Sequence, residues 1–129
     1  MAITPAAGFV SLGDSVLIGF VASLISNVAI DAFHKSGRVD DTLDVFASHG
    51  IGGMVGMLLT GVFAAEVGLT SGEFETFGKH IAALVAVAVG AFALSYGLFA
   101  LVNALIPMRV TSKQEERGLD DSQHGEKLQ

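Results

Sequence analysis

The sequence has no cysteine, so a disulfide framework, a thiolate metal site and a thiol nucleophile are all excluded. Basic residues are also scarce. Seven lysines and arginines stand against 13 aspartates and glutamates, a net charge of -6, so no basic face exists to neutralise phosphates and nucleic acid is not expected as a partner. Charge of either sign is sparse at 16%, and it gathers in two loops and the C-terminus. A water-soluble domain would spread charge over every helix, because each surface helix needs a polar face. The start, Met1-Ala-Ile-Thr-Pro5, lacks the basic region of a cleaved signal peptide, so membrane targeting is expected from the helices themselves. The sequence shows no Ser/His/Asp arrangement, no phosphate-cradling loop and no paired carboxylates in an apolar span, so an enzyme is not expected and no cofactor is implied. No repeat period, low-complexity tract or second domain is visible.

What is present is apolar. The 129 residues are 51% hydrophobic with a mean hydropathy of +0.61. A bilayer core about 30 Å thick requires roughly 20 apolar residues in a helix. Three stretches qualify, at about 15–33, 45–65 and 81–106. The expected fold class is therefore all-α, a polytopic membrane protein with three transmembrane helices over 1–108 and a soluble tail over 109–129. Thr4-Pro5 and Gly8 read as a turn, and Gly13-Asp14-Ser15 offers caps for the first span. Gly37 can end it, and Asp40, Asp41 and Asp44 sit where carboxylates favour the start of the second helix. The stretch from Glu66 to His80 reads as a loop with room for a helical turn, and Pro107 closes the third span. Lys35 and Arg38 lie between spans one and two, and Arg109, Lys113 and Arg117 follow span three. Two helices separate these groups, so both belong on the cytoplasmic side, with the N-terminus outside.

The second span carries the unusual chemistry, His49-Gly-Ile-Gly-Gly-Met-Val-Gly56 followed by Thr60-Gly61. At regular helical spacing His49, Gly53, Gly56 and Thr60 share one small, polar face with Gly52 beside them. Gly52, Gly53 and Gly56 read as packing residues, since small residues at a four-residue interval let helices approach closely in lipid. An imidazole in a membrane helix is costly unless it pairs or meets water, so His49 is a candidate for transport or ligand binding. A hydrogen bond to a neighbouring helix would satisfy it equally well, and spacing leaves both open. Asp44 lies five residues before His49, off its face on a regular helix, so helix capping is its expected job. His34, His80 and His124 lie at span edges or in the tail without metal-ligand spacing, so no metal site is expected. By itself the tail, Glu115-Glu116-Arg117-Gly-Leu-Asp-Asp121, reads as a solvated segment in which Gly118 and Gly125 permit turns.

Three separated motifs also resemble one family. Ile3-Thr-Pro-Ala-Ala-Gly8, then Asp40-Asp-Thr-Leu-Asp-Val-Phe-Ala-Ser-His-Gly-Ile-Gly-Gly53, then Arg109-Val110, Gly118-Leu-Asp120 and His124-Gly-Glu126 resemble the Amt/Mep/Rh ammonium transporters, specifically the bacterial Amt type. The resemblance implies spans nine to eleven and the cytoplasmic tail of an eleven-helix fold that forms homotrimers in the inner membrane of the cell. It implies ammonium or ammonia as substrate, with His49 as the second of two paired pore histidines and Val45 as an apolar lining residue. The partner histidine belongs to the fifth span of that fold, so this stretch by itself is not expected to conduct. Arg109, Gly118, Leu119, Asp120, His124 and Gly125 match the tail through which the family is regulated by PII signal proteins. Two departures stand out. Ser48 replaces the usual glycine or valine before the histidine, and Glu116-Arg117 reverses the usual order of the pair. Other readings are a regulatory fragment that binds full-length subunits or a PII protein, an inert remnant, and a small membrane protein holding zinc or copper through His49.

Overall fold

The computed structural model describes residues 1–37 and 41–126. Arg38 and Asp40, counted above among the charges of the first connection, lie outside the described residues. Helix α1 runs Leu12–Ser36, a π-helical turn at Phe46–Ile51 leads directly into α2 at Gly52–Phe63, and a 3₁₀ turn at Leu69–Ser71 precedes α3 at Phe74–Leu105. Helix α4 at Ser112–Arg117 and a second π turn at Asp120–His124 follow. The described chain is all-helical. Three segments, Leu12–Ser36, Phe46–Phe63 and Phe74–Leu105, are long and apolar enough to cross a membrane. This is a multi-pass membrane protein.

The helix ends differ from the hydropathic boundaries for local reasons. Helix α1 starts at Leu12 because Ser11 is its cap: its Oγ accepts from the Asp14 N–H at 3.2 Å and donates to the Asp14 carboxylate at 2.6 Å. It ends where Gly37 adopts a left-handed φ of 59° and returns its N–H to the Phe33 carbonyl. Helix α3 begins at Phe74, well before Ile81, so 74–80 is helical where a loop was expected. Glu75 and Lys79, which make this stretch look loop-like, sit one turn apart and pair at 2.7 Å. At the far end the Asn103 side chain accepts the Met108 N–H at 3.0 Å and covers the chain's exit from the helix.

The chain divides into two compact units, Met1–Val87 and Ala88–Gln129. The core of the first is made of small residues. Ala6, Ala22, Ala47, Ala64, Ser26 and Thr60 are buried, and Ile18 is the one large side chain fully enclosed among the described residues. Phe20, Leu24 and Val28 on α1 point outward, as expected where lipid rather than water surrounds the bundle. Residues 1–10 form consecutive turns folded against α2, joined by the Ala65 N–H donating to the Phe9 carbonyl at 2.9 Å.

In the second unit the tail is largely exposed and carries local helical structure. Gln114 Oε1 accepts from both the N–H and the hydroxyl of Thr111, at 3.0 and 2.8 Å, and so caps α4. Gly118 and Gly125 take φ values of 93° and 69°, which side-chain-bearing residues rarely adopt. Arg117, just before Gly118, pairs with Asp121 at 2.8 Å across the start of the π turn.

Candidate functional site

The π turn at Phe46–Ile51 holds His49, and carboxylate and carbonyl contacts of Asp41 and Asp44 set where it begins. Asp41 accepts the Val45 N–H at 2.9 Å through one carboxylate oxygen and the Phe46 N–H at 2.7 Å through the other. These are the exposed amides of the first turn, so Asp41 is the side chain that caps the second span. Asp44, expected in that job, has its carboxylate elsewhere: Oδ1 lies 2.7 Å from Nε2 of His34 at the end of α1. Its backbone is left-handed, with φ 53°, and its carbonyl accepts both the N–H and the hydroxyl of Ser48, at 2.9 and 2.6 Å. Ser48, the departure before the histidine, is thus a local tie to the start of the turn.

The aromatic side of the turn is equally specific. The Phe46 ring lies 5.8 Å from that of Phe33 on α1 and also covers Gly50, where an added Cβ would stand 3.1 Å from the ring. A side chain at position 50 would press the Phe46 ring out of its present place.

The single polar face expected from regular spacing divides in two. Gly52, Gly56 and Thr60 turn inward and are buried, whereas His49 and Val45 are exposed. The cause is the π turn, whose i→i+5 hydrogen bonding rotates the residues before Gly52 relative to those after it. Gly52 faces the Ser26 hydroxyl of α1, 3.0 Å from the position of an added Cβ. Gly56 faces the backbone of Ala2, whose Cα lies 2.6 Å from such a Cβ. Gly53 faces open space, with no atom within 4 Å. A groove of about 360 Å³ beside this contact is lined by Ser23, Ser26, Asn27, Ser48 and Gly52 among others, and His49 is not part of its wall.

Sequence spacing missed two histidine contacts. The His34–Asp44 pair joins residues ten apart on separate elements, and no periodicity marks it. His80 on α3 lies against Gly61, its buried Nδ1 without a hydrogen-bond partner, so the first turns of α3 meet the end of α2 through an imidazole. Among the described residues no group of three His, Asp or Glu side chains converges in the way that holds a metal ion. In the tail Arg109, Leu119 and His124 are exposed, and Asp120 opens the π turn.

The family description Ammonium Transporter Family matches residues 1–128. The chain belongs to the ammonium transporter family. It is similar to the ammonium transporter of Bacillus subtilis, 37% identical over 134 residues, which covers 98% of this chain and 33% of that protein. Ammonium transporter Amt1 of Archaeoglobus fulgidus is 37% identical over 130 residues, 97% of this chain and 33% of its own. The ammonium transporter of Aquifex aeolicus is 39% identical over 132 residues, with 98% and 31% covered. The chain spans about a third of the length of these curated relatives. In this member of the ammonium transporter family, the exposed imidazole lies in a segment long and apolar enough to cross a membrane.

Proposed function

We propose that the chain is the C-terminal part of an ammonium transporter, contributing spans nine to eleven, with His49 as one of two pore imidazoles and Val45 as apolar lining. The observation that carries this reading is the outward-facing imidazole of His49, set by a π turn in an apolar segment of a chain of this family. Ammonium gives up its proton at the outer mouth and ammonia crosses, because a bare cation entering hydrocarbon is far more costly than a small neutral molecule. A neutral imidazole donates at one ring nitrogen and accepts at the other, so two of them orient ammonia and offer the proton a route. The first connection and residues 109–129 lie in the cytoplasm, the N-terminus lies outside, and the complete protein is a homotrimer in the inner membrane.

Uptake of labelled methylammonium tests this in cells lacking their own ammonium transporters. The chain alone is expected to be inactive. Joined to or coexpressed with the missing spans it is expected to transport, and His49→Ala in that form to abolish or alter transport. Specific uptake by the 129 residues alone would overturn the requirement for the missing spans. A second role is favoured by the ordered tail: the capped α4 and the turn at 118–125 present a folded surface suited to docking a PII-type protein. Co-purification with such a protein, lost on deleting 109–129, is the expected result.

A further inference from the structure

Asp44 is the only residue other than glycine with a left-handed backbone among the described residues. Such a conformation is disfavoured for a side-chain-bearing residue and persists only where its surroundings hold it. Its N–H donates to the Asp41 carbonyl at 3.0 Å and its own carbonyl is taken by Ser48, both within the same short segment. The contact that reaches another helix is its carboxylate, 2.7 Å from Nε2 of His34. The residue before His34 does the same with an apolar group, since the Phe33 ring packs at a tilt of 40° against that of Phe46. Consecutive residues at the end of α1 thus hold Asp44 and Phe46, one through a contact with a carboxylate and one through a ring.

We propose that His34 is a positioning residue for His49: its contact with Asp44 holds the left-handed turn from which the π turn starts, and so sets where the His49 imidazole points. This rests on the reading of His49 as a pore residue. Among the described residues the neighbouring charged groups do not compete for the contact. Asp31 and Lys35 on α1 pair with each other, and both carboxylate oxygens of Asp41 are occupied by backbone N–H groups. The His34 side chain is largely exposed while that of Asp44 is only 28% exposed, so the clamp closes over the carboxylate from the solvent side. A hydrogen bond to a charged acceptor is shorter and stronger than a neutral one, which suits it to hold a disfavoured turn.

The test uses the full 129-residue chain in lipid nanodiscs, with amide hydrogen exchange and the ring-nitrogen NMR signals of ¹⁵N-histidine as readouts. His34→Ala is expected to raise exchange across 46–51 by about tenfold, with 52–63 unchanged, and to shift the His49 signals. His34→Gln, which keeps a donor, is expected to restore most of the protection. Asp44→Gly removes the carboxylate but adopts the left-handed backbone without strain, so it should leave the turn formed and keep the His49 signals close to their native position. Unchanged exchange and unchanged His49 signals in His34→Ala would overturn the proposal, as would a uniform rise along the whole second span without rescue by His34→Gln. Methylammonium transport by the chain joined to its missing spans separates this from the parent reading. His34→Ala should lower kcat about tenfold with KM little changed. If His34→Ala disturbs the NMR signals but neither it nor His49→Ala affects transport, the clamp stands and the pore assignment falls. If His49→Ala abolishes transport while His34→Ala leaves kcat unchanged, the pore assignment stands and the positioning role falls.

Discussion

At the scale of single residues, three glycines that look alike in the sequence have unlike surroundings, and this orders the effect of adding a methyl group. Gly56 faces backbone, the Ala2 carbonyl and Cα, which cannot rotate away. Gly56→Ala is expected to destabilise the packing by about 2 kcal/mol, as overfilled contacts do. Gly52 faces the Ser26 hydroxyl, which can turn, so Gly52→Ala should cost less. Gly53 faces nothing within 4 Å, and Gly53→Ala should be neutral or slightly stabilising through helix propensity. Unfolding of the three variants in mixed micelles checks the order, and equal losses at Gly53 and Gly56 would contradict it. Their shared spacing was legible in the sequence, but their division between a packed and an open side was not. Which side of α2 meets the Ser26 hydroxyl of α1 and the Ala2 backbone is decided by packing between elements, not by spacing within the helix.

At the scale of elements, the second span depends on the groups that receive its first amides. Asp41→Ala removes the acceptor of both the Val45 and Phe46 N–H groups and is expected to cost about 1–2 kcal/mol, the usual range for losing a helix cap. Hydrogen exchange at Val45 and Phe46 should rise well before that of 57–63. In the tail, Gln114→Ala removes the acceptor of two Thr111 bonds and should fray α4 by about 0.5–1 kcal/mol, seen as loss of helical carbon shifts at 112–117. The Arg117–Asp121 pair is expected to matter less, because its arginine is exposed and such pairs contribute little. The early start of α3 belongs to this scale too. Polar residues at 74–80 mimic a loop by composition, whereas they form the first turns of α3, with Glu75 and Lys79 one turn apart and His80 against Gly61.

At the scale of the whole molecule, the described helices leave most of their large apolar side chains outside, and none of α3 is buried. A chain covering a third of its relatives' length, with so small an internal core, is expected to gain stability from the remaining spans. Coexpression with them should raise the yield of folded chain and its resistance to proteolysis, compared with expression of the 129 residues alone. Equal resistance in both conditions would show that the small-residue core suffices. Membrane residence, the number of spans and the family were readable from residue order, because hydropathy and short motifs are local properties and lipid imposes helices on any long apolar run. The identity of the capping carboxylate, the outward turn of His49 and the grip of His34 on Asp44 were not readable. Each depends on which groups meet across a turn or between α1 and the second span, and that is set by three-dimensional packing rather than by spacing along the chain.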